Sequence, residues 1–354
     1  MLIIDAHLDL AYNALNYNRP LTRSAADIRQ AELPDSNRGT ITATFPDMQK
    51  GGVGLVFGTL FVTPAHAKHA VMGDKMTYHN SDQAHGFAMQ QLDYYHRLTD
   101  EFETIRLVTD SASLETVVHS RENEDQKSLI GIVPLMEGAD PIRVPEEAEL
   151  WYERGLRAIG LAWDDTRYAT GGWSNSSEGL TKGGYRLLEV MADLGFILDL
   201  THMSENAAIE SLERYEGVVV ATHTNCRALI PGQRQFNDTQ IRLLGERDGV
   251  MGTVLYNAFL LKGWGKSSRK EDVTLDHLVA NIDHVCQLLG NARHVGIGSD
   301  LDGGFGAEHI PAEIDTIADL PKIANKLKER GYEPDDIENI MGDNWLRVLR
   351  RAFS

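Results

Sequence analysis

Eight short runs of apolar, largely β-branched residues recur along the 354-residue chain, each stopping at a polar residue or a glycine. They cover Leu2–Asp5, Val53–Val62, Leu129–Met136, Leu156–Ala162, Phe196–Leu200, Val218–Ala221, Val250–Tyr256 and His294–Gly298. Runs this short and apolar throughout read as strands buried on both faces. Stretches of helical period lie between them, such as Tyr185–Leu194 before Gly195 and Leu275–Leu289 before Gly290, each with glycine where a helix ends. Alternating strands and helices imply parallel βαβ units. Eight units in this length favour an α/β fold of the closed (β/α)₈ TIM-barrel type over an open doubly wound sheet. A dinucleotide-binding sheet would carry a glycine-rich turn after its first strand, and Ala6-His7-Leu8-Asp9 stands there instead. The expectation is one catalytic barrel over residues 1–354, with a polar helical excursion around 65–104 and a long Gly/Ser-rich loop over 169–184 after the fourth strand.

Composition removes several classes of function. Lysine plus arginine number 34 and aspartate plus glutamate 52, a net charge of 34 − 52 = −18. That balance argues against nucleic acid and against an anionic membrane surface as partners. Two cysteines, Cys226 and Cys286, cannot build a disulfide framework and read as free thiols of a reducing compartment. No run of 18 apolar residues occurs, and the N-terminus has no basic region and meets charge at Asp5. The expected location is therefore cytoplasmic.

The informative pattern is what stands at the strand ends, because side chains at the C-terminal ends of barrel strands converge on one mouth. The first strand leads into Asp5-Ala-His7-Leu-Asp9, the third into Glu137, the fifth into His202, the sixth into His223 and the eighth into Asp300-Leu-Asp302. Residues two apart on an extended chain share a face, so His7 and Asp9 can grip one ion. Taken singly, each residue has an ordinary explanation: a turn histidine, an N-terminal helix acid for Glu137, an N-cap for Asp300. Five strand ends aimed at one point do not. Histidine and carboxylate donors without cysteine suit Zn²⁺, Mn²⁺ or Fe²⁺. Three histidines with two or three carboxylates exceed the needs of one catalytic zinc and suffice for two ions sharing a carboxylate.

These motifs resemble the membrane dipeptidase (renal dipeptidase) family of binuclear zinc peptidases, within the amidohydrolase-like barrels. The resemblance spans nearly the whole chain. It rests on Asp5-Ala-His7-Leu-Asp9-Leu, Met136-Glu137-Gly, Asp199-Leu-Thr-His202, Ala221-Thr-His223-Thr, Gly298-Ser-Asp300-Leu-Asp302-Gly and Met341-Gly-Asp-Asn-Trp-Leu-Arg-Val, in the family's order. It implies two divalent metal ions, zinc being expected. His7 and Asp9 would bind the first, Glu137 would bridge, and His202 and His223 would bind the second. Asp300 would handle protons beside a metal-bridging hydroxide. The implied activity is hydrolysis of L-L or L-D dipeptides, with a homodimer as the assembly. His-x-Asp on the first strand and glutamate on the third set the chain apart from relatives with His-x-His and a carboxylated lysine.

The resemblance also implies substrate-side residues. Arg234, eleven residues after His223, would clamp the substrate's C-terminal carboxylate with its planar guanidinium. Tyr256 would line the pocket. One departure stands out: the family has a histidine at the end of the fourth strand that holds the developing oxyanion, and here Trp163 occupies the place in Gly160-Leu-Ala-Trp163-Asp-Asp-Thr-Arg167. Arg167 or the metals would take over that donor role, and Asp164, Asp165 and Arg167 would shape specificity. Two other readings use the same residues: a different amidohydrolase-type enzyme, such as an N-acyl-amino-acid or lactone hydrolase, or a non-catalytic small-molecule binder on the same barrel.

Overall fold

The computed structural model describes residues 1–32, 39–67, 74–121, 128–174 and 176–354. The eight expected strands form, as β1 (Ile3–Leu8), β2 (Val53–Phe61), β3 (Ile130–Glu137), β4 (Ala158–Gly160), β5 (Ile197–Asp199), β6 (Val219–Val220), β7 (Met251–Thr253) and β8 (Val295–Ile297). Neighbours pair in parallel in chain order from β1 to β6 and from β7 through β8 back to β1. A parallel bridge between Ala221 and Met251 closes the remaining gap, with the Gly252 amide donating to the Ala221 carbonyl at 2.8 Å. The fold is a (β/α)₈ barrel.

Each strand is buried along its length, which is why its sequence is apolar on both faces. Alternate residues serve two layers. Ile4, Ala6, Leu55, Phe57, Val133, Leu135, Ile197 and Val220 pack together inside the barrel, joined by Trp345 of the C-terminal helix Asn344–Ala352. Val56, Leu60, Ile132, Met136 and Leu198 face the surrounding helices. Both glycine-terminated helices form as expected. Lys182–Leu194 starts at the Thr181 cap, whose side chain accepts from the Gly184 amide, and ends at Gly195 with φ 79°. Leu275–Leu289 ends at Gly290 with φ 74°.

The region around 65–104 contains the expected helix between strands, more deeply docked than its polar composition suggests. It holds the helix Ser81–Glu101, which crosses from β2 towards β3 as part of the barrel's helical ring. Leu92 and Tyr95 are fully buried, and the Tyr95 hydroxyl donates to the Thr59 carbonyl while accepting the Ala11 amide. The helix reads as polar because its exposed face dominates its composition. His66 and His79 are exposed, whereas His85 and His96 are half-buried and bind the carbonyls of Pro141 and Arg154; His69 lies outside the described residues. Two features were too short to leave a periodic signal: a strand at Ile105–Leu107 beside the start of β3, and the pair Thr63–Pro64 with Thr77–Tyr78. Among the described residues, no helix is long and apolar enough to cross a membrane.

Candidate metal centre and active site

His7, Asp9, Glu137, His202, His223 and Asp300 come together at one mouth. Glu137, the last residue of β3, is the hub. Its Oε1 lies 3.0 Å from His202 Nε2 and 3.4 Å from His223 Nε2, and its Oε2 lies 3.5 Å from His7 Nε2. Asp300 Oδ1 stands 3.8 Å from His7 Nε2. Two overlapping donor groups result, His7–Glu137–His223 and His7–Asp9–Asp300, the donor atoms of each all lying within 4.8 Å of one another. Every member is buried.

Local geometry aims these side chains. The pairing of β1 with β2 shifts register between Asp5 and Leu8, a bulge just where the chain presents His7. His202, Asp300 and Asp302 take left-handed backbone conformations, with φ of 66°, 60° and 66°, although none is glycine. Such conformations persist only where the surroundings enforce them, and they cluster at functional sites. Gly298 and Gly252 let the strand ends converge, since a Cβ on either would sit 1.7 Å and 1.9 Å from the Thr222 carbonyl oxygen.

The imidazoles are oriented by fixed partners. The Trp163 carbonyl lies 3.1 Å from His202 Nδ1; being an acceptor only, it takes a proton from that nitrogen and leaves the Nε2 lone pair facing Glu137. Thr222 Oγ1 lies 3.0 Å from His223 Nδ1 and donates its own proton to Asp199 Oδ2, so it accepts from His223 Nδ1 and again frees Nε2. Asp9 accepts from the Thr59 hydroxyl. Of the three imidazoles, His7 is the one with no hydrogen bond on either buried ring nitrogen; the Glu137 and Asp300 carboxylates stand 3.5 and 3.8 Å from its Nε2.

The charges are consistent with a site that takes added positive charge. Burial alone would push His7 down, but the carboxylates of Glu137, Asp9 and Asp300 outweigh it and lift His7 to about 10. Burial, reinforced by Glu137, pushes Asp9 up to about 7; burial with Asp9 and Glu137 pushes Asp300 well above the carboxylate range. Burial would raise Glu137 too, yet His7, His202 and His223 outweigh it and hold Glu137 well below. Burial, then Arg234, lowers His202 to about 4; burial, then His7, holds His223 well below the ordinary imidazole range. Neutral imidazoles, crowded carboxylates and an orphaned buried histidine fit divalent cations, which bind deprotonated donors.

Arg234 is no surface residue. It is 4% exposed, and its Nη2 donates to the His223 carbonyl at 2.9 Å and lies 3.1 Å from His202 Nε2. Its Nε and Nη1 are buried without partners, and burial pulls its guanidinium down to about 10. A cavity of about 440 Å³ opens above, lined by Asp9, Glu137, His202, His223 and Asp300 together with Trp163, Arg234 and Tyr256. Tyr256 stacks on Phe305 at 4.6 Å.

The charged residues of the loop after β4 do not take the roles expected of them. Arg167 does not reach the cavity; its guanidinium is spent on Asp140 and on the carbonyls of Asp140, Ile142 and Arg143. Asp165 fixes the Gly171 amide and the Ser174 hydroxyl, and Asp164 accepts the Asp165 amide. These charges hold the loop's shape and do not line the site. Asp302 likewise faces away, accepting from the Thr42 amide and hydroxyl and the Ala43 amide. Cys226 is packed, its Sγ against the Asn281 carbonyl.

Sequence reasoning missed the residues behind the donors. Asp199 Oδ1 accepts the amides of Thr201 and Thr222 at 3.0 and 2.9 Å, tying the β5 end that carries His202 to the β6 end that carries His223. Asp5 does the same for β1 and β8, accepting from the amides of His7 and Ser299 and from the Ser299 hydroxyl. The available signal was an aspartate at the end of an otherwise apolar strand, where burial demands partners.

Comparisons with known proteins place the chain in a family. The family model described as membrane dipeptidase, peptidase family M19, matches residues 1–353. An uncharacterised protein of the pqqA 5′ region of Klebsiella pneumoniae is 31% identical over 257 residues, 70% of this chain and 89% of that one. Dipeptidase aclJ of Aspergillus oryzae is 26% identical over 339 residues, 91% of this chain and 72% of the relative. A Rhodobacter sphaeroides metallo peptidase, solved with a phosphinate mimic of the dipeptide L-Ala-D-Ala, superposes with a TM-score of 0.80 at 24% identity, covering 99% of both chains. The chain is therefore a hydrolase of the (β/α)₈ type and belongs to the membrane dipeptidase family.

Proposed function

We propose that this protein is a zinc-dependent dipeptidase that cleaves the amide bond of L-L or L-D dipeptides. The observation that carries the reading is the Glu137 carboxylate within 3.5 Å of three imidazole nitrogens, beside a buried guanidinium with two unpartnered nitrogens. His7 and Asp9 would hold one ion, His202 and His223 the other, and Glu137 both. Two ions held there supply a nucleophile at neutral pH and polarise the scissile carbonyl.

The chain's own residues do the rest. Arg234 receives the substrate carboxylate on Nε and Nη1, the donors that nothing else uses. Asp300, buried and beside His7, takes the proton of the attacking water and returns it to the leaving amine. Trp163 and Tyr256 bound the cavity and exclude water from it. The relative that holds a dipeptide mimic supports a substrate of this size.

The test is metal analysis of the purified protein with a parallel panel of L-L and L-D dipeptides and their N-acetylated forms. Two zinc ions per chain with hydrolysis that N-acetylation abolishes is the expected result. Hydrolysis of the acetylated forms would favour the N-acyl-amino-acid reading, and absence of metal after zinc is offered would overturn the ligand assignments. Asp300→Asn should abolish turnover while retaining ligand, which a non-catalytic binder would not show. A homodimer belongs to the same reading and is checked by sedimentation.

A further inference from the structure

We propose that Trp163 makes this site selective for dipeptides whose first residue is aromatic. The inference rests on the dipeptidase reading and on Arg234 as the carboxylate clamp.

Trp163 belongs to a continuous aromatic wall. Its ring centroid lies 5.0 Å from that of Phe61, and Phe61 lies 5.3 Å from Tyr12. These rings form an apolar cluster with Met76, separate from the barrel core and from the helix-facing layer. Their free faces line the cavity. Tyr12 is anchored by its hydroxyl, which donates to Asp74 at 2.8 Å; the Trp163 carbonyl serves His202, while its indole ring packs against Phe61 and His202.

The topology gives this wall a direction. Phe61 ends β2 and Trp163 follows β4, so the wall stands on the β2–β4 side of the mouth. Arg234 follows β6, two strands further round the mouth than β4, with its guanidinium carbon 5.4 Å from the Phe259 ring centre. A dipeptide with its carboxylate on Arg234 and its amide above Glu137 projects its first side chain towards Phe61 and Trp163. A methyl group there leaves apolar surface uncovered and forfeits its contacts. A phenyl or indole ring meets Phe61 and Trp163 edge to face. A histidine at position 163 would offer a polar donor to the reacting carbonyl; the tryptophan offers a broad apolar face instead. This chain exchanges a general donor for a shaped wall.

The experiment compares kcat/KM of the zinc-loaded enzyme for Phe-Ala, Trp-Ala, Leu-Ala and Ala-Ala, in wild type, Trp163→Ala, Trp163→Leu and Phe61→Ala, with calorimetric binding of the matching phosphinate pseudo-dipeptides. The ratio of aromatic-first to alanine-first substrates is insensitive to the fraction of protein that folds. It should exceed about tenfold in wild type and fall towards one in the Trp163 variants. Binding of the phosphinates should follow the same order. Hydrolysis without aromatic preference, or a preference that survives Trp163→Ala and Trp163→Leu, overturns the proposal and leaves the dipeptidase reading standing. If no dipeptide is cleaved, the dipeptidase reading falls; the proposal then stands only if the phosphinates bind in the expected order and lose it in the Trp163 variants, and falls otherwise.

Discussion

Asp199→Asn is the sharpest probe of how the fold prepares its donors. Asp199 is 3% exposed and touches no candidate ligand. Its Oδ1 accepts two amides and its Oδ2 accepts the Thr222 hydroxyl, which in turn accepts from His223 Nδ1. Asparagine keeps a carbonyl for the two amides, so the metal-free fold should lose only about 1 kcal/mol. Its NH₂, however, faces the Thr222 hydroxyl as a donor. The hydroxyl proton must then turn towards His223 Nδ1, which moves the imidazole proton to Nε2 and removes the lone pair that faces Glu137. Loss of such an orienting partner costs about 10- to 100-fold in metal affinity, equivalent to about 1.4–2.7 kcal/mol. Asp199→Ala differs in kind. It strands two buried amides at about 1–3 kcal/mol each, a stability loss of about 2–6 kcal/mol. The assays are urea unfolding of metal-free protein and zinc titration against a chromophoric chelator. Wild-type zinc affinity in Asp199→Asn, or equal stability losses in the two variants, would refute the chain of hydrogen bonds as the device that orients His223.

Three further outcomes follow from the same geometry. Zinc held at 1,000 times its dissociation constant adds about 4.1 kcal/mol per ion; with an unfolding entropy of about 2.1 cal/mol/K per residue over 354 residues, stripping two ions should lower Tm by roughly 11 °C in calorimetry, and an unchanged Tm would mean that the cluster holds no ion. The metal-free His7 is lifted to about 10 from an ordinary 6.5, so it is protonated at pH 7 and must release that proton to become a ligand. Zinc binding should therefore release protons at neutral pH, seen as a dependence of the calorimetric heat on buffer, and zinc affinity should rise with pH up to about 10. Gly298→Ala would set a methyl carbon 1.7 Å from the Thr222 carbonyl oxygen; separating two backbone segments in a packed barrel should cost about 1–3 kcal/mol or more, read as a lower urea midpoint.

The barrel was legible because a parallel strand covered on both faces must be apolar throughout, and each of the eight runs is. The donors were legible for a related reason: a charged or imidazole side chain at the end of an apolar run is a local conflict, and such conflicts mark function. Boundaries were less so. The first strand continues through His7 to Leu8, because hydrogen bonding to β2 extends past the apolar residues. The helix at Ser81–Glu101 read as solvated because one buried stripe suffices to dock a helix and leaves its composition polar.

The sequence by itself determined the period of the fold and which histidines and carboxylates stand at the strand ends, in their order along the chain, since each depends on residue type and short-range spacing. Tertiary structure decided the rest. Only the closed ring brings Asp5 to Ser299 and Asp199 to Thr222, contacts across 294 and 23 residues that set donor orientation. Only the mouth shows that Arg234 points inward with two free nitrogens while Arg167, equally charged, is consumed by its own loop. And only the assembled walls show Trp163 joined to Phe61 and Tyr12 from two other strands' ends. The physical reason is the same in each case: orientation and burial are properties of neighbours distant in sequence, and a residue's type says what it can do but not what it is left free to do.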